Sequence, residues 1–222
     1  PHPTPRAGYA AMISRLDAEV GALRAELEKH GLAQNTLIFV TSDNGPTHDV
    51  GGVDTAFFDS TAGLRGRKGS VWEGGIRVPG IAWWPSRIAG GATTDTPAWS
   101  PDLRATFASL AGGAASATDG VDLSSVLLHG APLPARALYW PFPGYGGQEA
   151  VREGDWKLVR RDLAKAAKEG SPAPAWQLFD LARDPKETTD LAAAHPDVVA
   201  RLAATAQRSY VESARFPLAR TP

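Results

Sequence analysis

Apolar residues recur at Tyr9, Ile13, Leu16, Val20, Leu23 and Leu27, spaced four, three, four, three and four apart. That is one face of a helix about twenty residues long. Glu19, Glu26, Glu28 and Lys29 fall off the stripe, and Gly31 supplies a left-handed stop. Asn35 and Thr36 then turn the chain into an unbroken run, Leu37, Ile38, Phe39 and Val40. Four consecutive apolar residues predict a strand covered on both faces, as in a parallel sheet with helices outside. Residues 45–75 carry glycine at 45, 51, 52, 63, 66, 69, 74 and 75 and predict a loop. A short strand follows near 76–84, interrupted by Pro79 and ended by Pro85. "SPDLRATFASLAGG" predicts a second helix, with Ser100 as cap, Pro101 in the first turn, Leu103, Phe107 and Leu110 on its face and a stop at Gly112.

Past the Ala/Gly/Ser/Thr run at 111–120 the pattern shortens. "ALYW" at 137–140, "EAVREG" at 149–154, "WKLVRR" at 156–161 and "WQLFDL" at 176–181 predict an antiparallel sheet of three or four strands. A last helix is expected from Pro196, packing through Val199, Leu202 and Ala206. The chain divides into 1–120 and a smaller antiparallel subdomain, 121–222, with the boundary near 112–136. A doubly covered parallel strand needs neighbours, and only one other candidate precedes the subdomain. Unpaired buried backbone is costly, so further strands are expected from a larger protein of which this is the C-terminal part.

Composition narrows the chemistry. With 23 Lys and Arg against 24 Asp and Glu, the formal charge is −1, which provides no overall field for nucleic acid or acidic lipid. The absence of cysteine excludes disulfides, thiolate metal sites and a cysteine nucleophile within these 222 residues. No run of eighteen apolar residues offers a membrane-spanning helix. The 23 glycines and 18 prolines lack a repeating period and predict ordered loops round a compact core.

Two clusters carry candidate chemistry. Asp43 and Asn44 follow the apolar run, at the end of a strand where ligands gather in α/β sheets. They either supply oxygen donors to a hard divalent cation or form an Asx turn with Gly45. "GLRGRKGSVWEGGIRVPG", 63–80, concentrates Arg65, Arg67, Lys68 and Arg77 against Glu73 alone. Lys68 on a glycine-rich backbone either meets a tetrahedral oxyanion or is solvated, with Glu73 pairing locally to Arg77. Arg65 and Arg67 are read as surface or structural residues, and Trp72 as a wedge under the loop. His2, in "PHPTP", is placed to donate to an oxyanion or protonate a leaving group, or is solvated. His48 faces a pocket or water.

Taken in order, "PHPTP", "YAAMISRLDAEVGALRAEL", "NTLIFVTSDNGP", "GLRGRKGSVWEGGIRVPGIAWWPSRI", "SPDLRATFASLAG" and "WQLFDLARDPKETTDLA" resemble the sulfatase family and cover most of the chain. The resemblance implies an α/β fold, part of an alkaline-phosphatase-like sandwich with the smaller C-terminal antiparallel subdomain. It implies calcium, in preference to magnesium, on Asp43 and Asn44, and sulfate contacts from Lys68 and His2. The family's nucleophile is a formylglycine made from the first residue of a Cys/Ser-x-Pro-x-Arg segment. No such segment occurs here, so the formylglycine is expected in an N-terminal part of the same protein, without which the chain should be inactive. The implied substrate is a sulfated small molecule or saccharide, and the implied location is periplasmic or secreted. A phosphomonoester or phosphonate hydrolase of the same fold, and an inactive binding protein, are the alternatives. "WPFPGYGGQE", 140–149, is expected either to line the pocket or simply to turn the chain.

Overall fold

The computed structural model describes residues 5–49, 52–114 and 117–219. They form two compact units, one from the chain up to Asp43 with Asp49–Asp54 and Pro79–Pro134, the other from Asn44–His48, Thr55–Val78 and Ala135–Pro222. Among the described residues no helix is long and apolar enough to cross a membrane.

In the first unit, helix α1 (Pro5–Lys29) extends past both ends of its apolar stripe. Leu16 and Leu23 on that stripe remain 58% and 53% exposed, and the helix buries no residue. A turn of 3-10 helix, Ala33–Asn35, leads to strand β1 (Ile38–Thr41). The strand is where the apolar run predicts it, but its setting differs. β1 is half-buried and pairs antiparallel with β2 (Gly80–Trp83), Ile38 opposite Trp83 and Thr41 opposite Gly80. The expected parallel partner is absent among the described residues. Between β1 and β2 lies the short helix α2 (Glu73–Ile76), which belongs to the second unit.

Helix α3 (Ser100–Leu110) follows, with Phe39 of β1 meeting Phe107 edge to face at 6.1 Å. Its start is secured by Asp102 instead of Ser100. The buried Asp102 carboxylate accepts the Trp99 amide at 3.0 Å and the Val121 amide at 2.8 Å. A carboxylate in the first turn satisfies free amides and complements the helix dipole, more than a neutral hydroxyl does. Thr106 then accepts the Leu123 amide at 2.9 Å, tying the following loop and helix α4 (Ser124–His129) to α3.

The second unit is built on an antiparallel sheet, β3 (Ala137–Phe142), β4 (Gln148–Glu153), β5 (Trp156–Arg161) and β6 (Gln177–Asp180), in that order. Helix α5 (Leu163–Glu169) lies between β5 and β6 in sequence. Strand alternation sends neighbouring residues to opposite faces. Val151, Leu158 and Leu178 pack with Leu202 and Ala206 of helix α6 (Pro196–Ser209). Ala150, Val159 and Phe179 pack with Val71 and Trp72, which come from the glycine-rich segment. The four strands and α6 thus match the sequence pattern, and the segment read as a loop serves as a cover for the sheet.

Candidate functional site

Asp43 is exposed at the bend after β1 and closes the first stretch of the first unit. Asn44 is half-buried and begins the second, its Nδ2 donating to the Gly45 carbonyl at 3.0 Å. That hydrogen bond is local turn chemistry made by the amide nitrogen; a cation would use the side-chain oxygen. Among the described residues no three His, Asp or Glu side chains gather as a metal site. His2 lies outside the described residues.

The Asn44 turn is bound closely to the segment bearing Lys68. The Gly45 amide donates to the Gly75 carbonyl at 2.8 Å, and the Lys68 amide to the Pro46 carbonyl at 2.8 Å. A side chain at Gly45 would put its Cβ 2.0 Å from the Gly74 oxygen, so this approach requires glycine. Asn44 and Lys68 therefore sit on hydrogen-bonded neighbouring stretches, although 24 positions separate them in sequence.

Lys68 lines an open cleft of about 520 Å³ within the second unit, together with Arg65, Arg67, Arg161, His48 and Tyr145. No Asp or Glu lines it. Lys68 is exposed, and no carboxylate pairs with it among the described residues. Arg65, Arg67, Lys68 and Arg161 give the cleft a local field for anions that the chain's near-zero net charge conceals. Arg65 has a structural part as well: its guanidinium lies 3.7 Å above the Trp72 ring and donates to the Glu187 carbonyl at 2.8 Å. Trp72 is buried and meets Phe179 edge to face at 5.5 Å, which makes it the wedge its sequence setting predicts.

Below the segment lies a buried ion cluster. Lys157, fully buried on β5, has its Nζ 2.8 Å from Glu73 Oε1 and 2.9 Å from Glu187 Oε1. Glu187 Oε2 accepts the Glu73 amide at 2.7 Å. Glu73 does approach Arg77, at 3.6 Å, but its short partner is Lys157. Burial pushes the Glu187 carboxyl above its ordinary value, while the Lys157 ammonium and the Glu73 amide work the other way. At the opposite end of the segment Gln148, also fully buried, donates Nε2 to the Gly69 carbonyl at 2.9 Å.

Sequence reasoning missed Lys157, Glu187, Gln148 and Arg161. One signal was available: Lys157 shares a strand face with Val159, so a sheet covered on that face carries it inward. Nothing local marks Glu187, whose backbone adopts a left-handed conformation at φ 55°.

The sulfatase family model matches residues 4–114. Human arylsulfatase A is 34% identical over 222 aligned residues, covering 89% of this chain and 42% of the relative. The crystal structure of Ps i-CgsB superposes with a TM-score of 0.77 at 27% identity, over 91% of this chain and 42% of the other. A second solved structure, in complex with its substrate D-glucosamine-2-N,6-O-disulfate, gives a TM-score of 0.69 at 25% identity, over 90% and 39% of the two chains. This chain thus spans less than half the length of these relatives. The architecture is α/β of the alkaline-phosphatase-like class.

Proposed function

The chain belongs to the sulfatase family, and from that premise we propose that it supplies the sulfate-gripping side of a sulfate monoester hydrolase. The observation that carries this reading is Lys68, which no carboxylate pairs among the described residues, on a cleft lined by no Asp or Glu and hydrogen-bonded through its own amide to the turn that holds Asn44. An ammonium held ready where negative charge develops stabilises a transition state without reorganisation. Lys68 would meet the sulfuryl oxygens as a point charge, and the surrounding arginines would raise the local concentration of anionic substrate.

Asp43 and Asn44 are consecutive oxygen donors, a set that suits calcium, and magnesium less well, since calcium accepts mixed carboxylate and amide oxygens in flexible geometry. With the ion bound, the site would gain a Lewis acid for the sulfate oxygens. The rest of the ligand set, His2's sulfate contact and the formylglycine nucleophile in an N-terminal part remain parts of this proposal. The chain's own contribution is to bind and orient the ester.

The test uses the full-length protein with paired aryl sulfate and aryl phosphate substrates. Sulfate should be preferred, and Lys68→Ala should lower kcat on it by about 10²–10³-fold, the usual loss for one such electrostatic group. Asp43→Ala should reduce bound calcium far below Asp49→Ala by elemental analysis. Preference for phosphate, an unchanged rate without Lys68, or equal calcium in the two Asp variants would each remove the corresponding part.

A further inference from the structure

The cleft holds more positive charge than one sulfate group requires. Arg161 closes β5 and lies opposite Gln148 in the strand register. Its Nε donates to Gln148 Oε1 at 3.1 Å, the oxygen that also accepts the Val71 amide at 3.4 Å. The same side chain holds Gly69, next to Lys68, through the 2.9 Å bond from Nε2. One buried amide therefore fixes both the Lys68 segment and the Arg161 guanidinium. With Nε engaged, the two terminal nitrogens of Arg161 face no carboxylate among the described residues. A planar guanidinium in that state suits the two-oxygen edge of a sulfate or carboxylate.

Tyr145 stands at the same cleft, 64% exposed. It packs over Gly69, where an added Cβ would come 2.6 Å from its ring, and lies nearly parallel to Phe142, 6.1 Å away at 26°. An exposed aromatic face fixed from behind suits the C–H face of a sugar ring, which is apolar between polar edges.

We propose that Arg161 forms a second anion subsite, so that the cleft takes a saccharide with a second oxyanion group, sulfate or carboxylate, and its ring against Tyr145. The sulfate ester at Lys68 rests on the hydrolase reading above; the second subsite rests on Arg161, Gln148 and Tyr145. An aryl or steroid monosulfate would set an apolar body against the two terminal nitrogens of Arg161 and leave them poorly solvated.

The probes are N-acetylglucosamine 6-sulfate and glucosamine 2-N,6-O-disulfate, in which a neutral group at C2 is exchanged for an anionic one. Calorimetric binding and hydrolysis are measured with the full-length protein, Arg161→Ala and Arg161→Lys. The wild type should bind the disulfated sugar at least tenfold more tightly. Arg161→Ala should abolish that preference, with the change falling on KM more than kcat, and Arg161→Lys should restore part of it. Unchanged thermal melting separates lost recognition from lost folding, and Arg161→Lys decides the matter if the alanine variant melts early. Equal losses on both sugars, no preference in the wild type, or no binding of either sugar overturns the subsite. A preference seen by calorimetry without hydrolysis keeps the subsite and defeats the hydrolase reading. Hydrolysis without an Arg161-dependent preference does the reverse.

Discussion

The two units solve the problem of burial in opposite ways. In the first, α1 and the β1–β2 ribbon bury none of their apolar residues fully, Met12 being 71% exposed and Ile81 59%. In the second, the sheet is packed on both faces, and Leu158, Val159, Leu178 and Lys157 have no accessible surface. The residues with candidate chemistry mostly belong to the second. Lys68 is mounted on a segment whose own side chains, Val71 and Trp72, are part of that core. A loop anchored in this way can hold an ammonium in place without a helix or strand of its own, since its freedom is removed by its neighbours.

The sharpest test of that contrast is the buried ion cluster. Lys157→Met should lower the stability of the second unit by about 3–5 kcal/mol, because two carboxylates would be left facing each other without a cation. Denaturant unfolding followed at Trp72 checks this. Glu187 already lies above its ordinary value through burial. A raised carboxyl favours folding below its unfolded value and loses that advantage as pH rises through the folded one. The variant should therefore be weakest near neutrality and recover towards acid, whereas a deficit constant across pH would argue against an ionised cluster.

Core truncation should divide the units next. Leu158→Ala should cost about 2–5 kcal/mol, while Leu16→Ala on the open face of α1 should stay within about 0.5 kcal/mol. Similar losses at both positions, measured by urea titration, would mean that α1 is covered in solution. Gly45→Ala comes third, at about 1–3 kcal/mol, since its Cβ would enter the Gly74 carbonyl. An unperturbed melt together with unchanged anion binding would show that the approach of Asn44 to the Lys68 segment is dispensable.

Within the second unit, a smaller effect than at Gly45 is expected at Asp184. Burial tends to raise its carboxyl, but hydrogen bonds from the Thr189 and Thr188 amides and the Thr188 hydroxyl outweigh burial and hold it below its ordinary value. A lowered carboxyl stabilises the fold above its unfolded value and loses that effect as pH falls through the folded one. Asp184→Asn should cost about 1 kcal/mol at neutral pH and flatten the acid limb of the stability curve. An unaltered limb would assign that limb to other groups.

Period and turn chemistry made α3, α6 and all four strands of the larger sheet legible, because each is a local pattern of burial. The setting of β1 was not legible. An apolar run reports that a strand is shielded, not which direction its neighbour takes. The same holds for α1, whose stripe predicted the helix but not the exposure of Leu16. Lys68 and Asn44 stood out by residue type, yet their backbone connection through Pro46 could not be read from a stretch of glycines. Glu73 was visible beside Arg77, whereas Lys157 and Glu187 lie 84 and 114 positions away from it. Pairings of that kind arise from the tertiary fold and leave no trace in a local window.

The bond between Gln148 and Gly69 joins residues 79 positions apart. A ribosome adding about 5–20 residues per second delivers the lysine segment roughly 4–16 seconds before β4 can support it. For that interval Val71 and Trp72 have no sheet to cover and are exposed to adventitious association. The Lys68 segment would then be among the last parts of the nascent chain to acquire its shape.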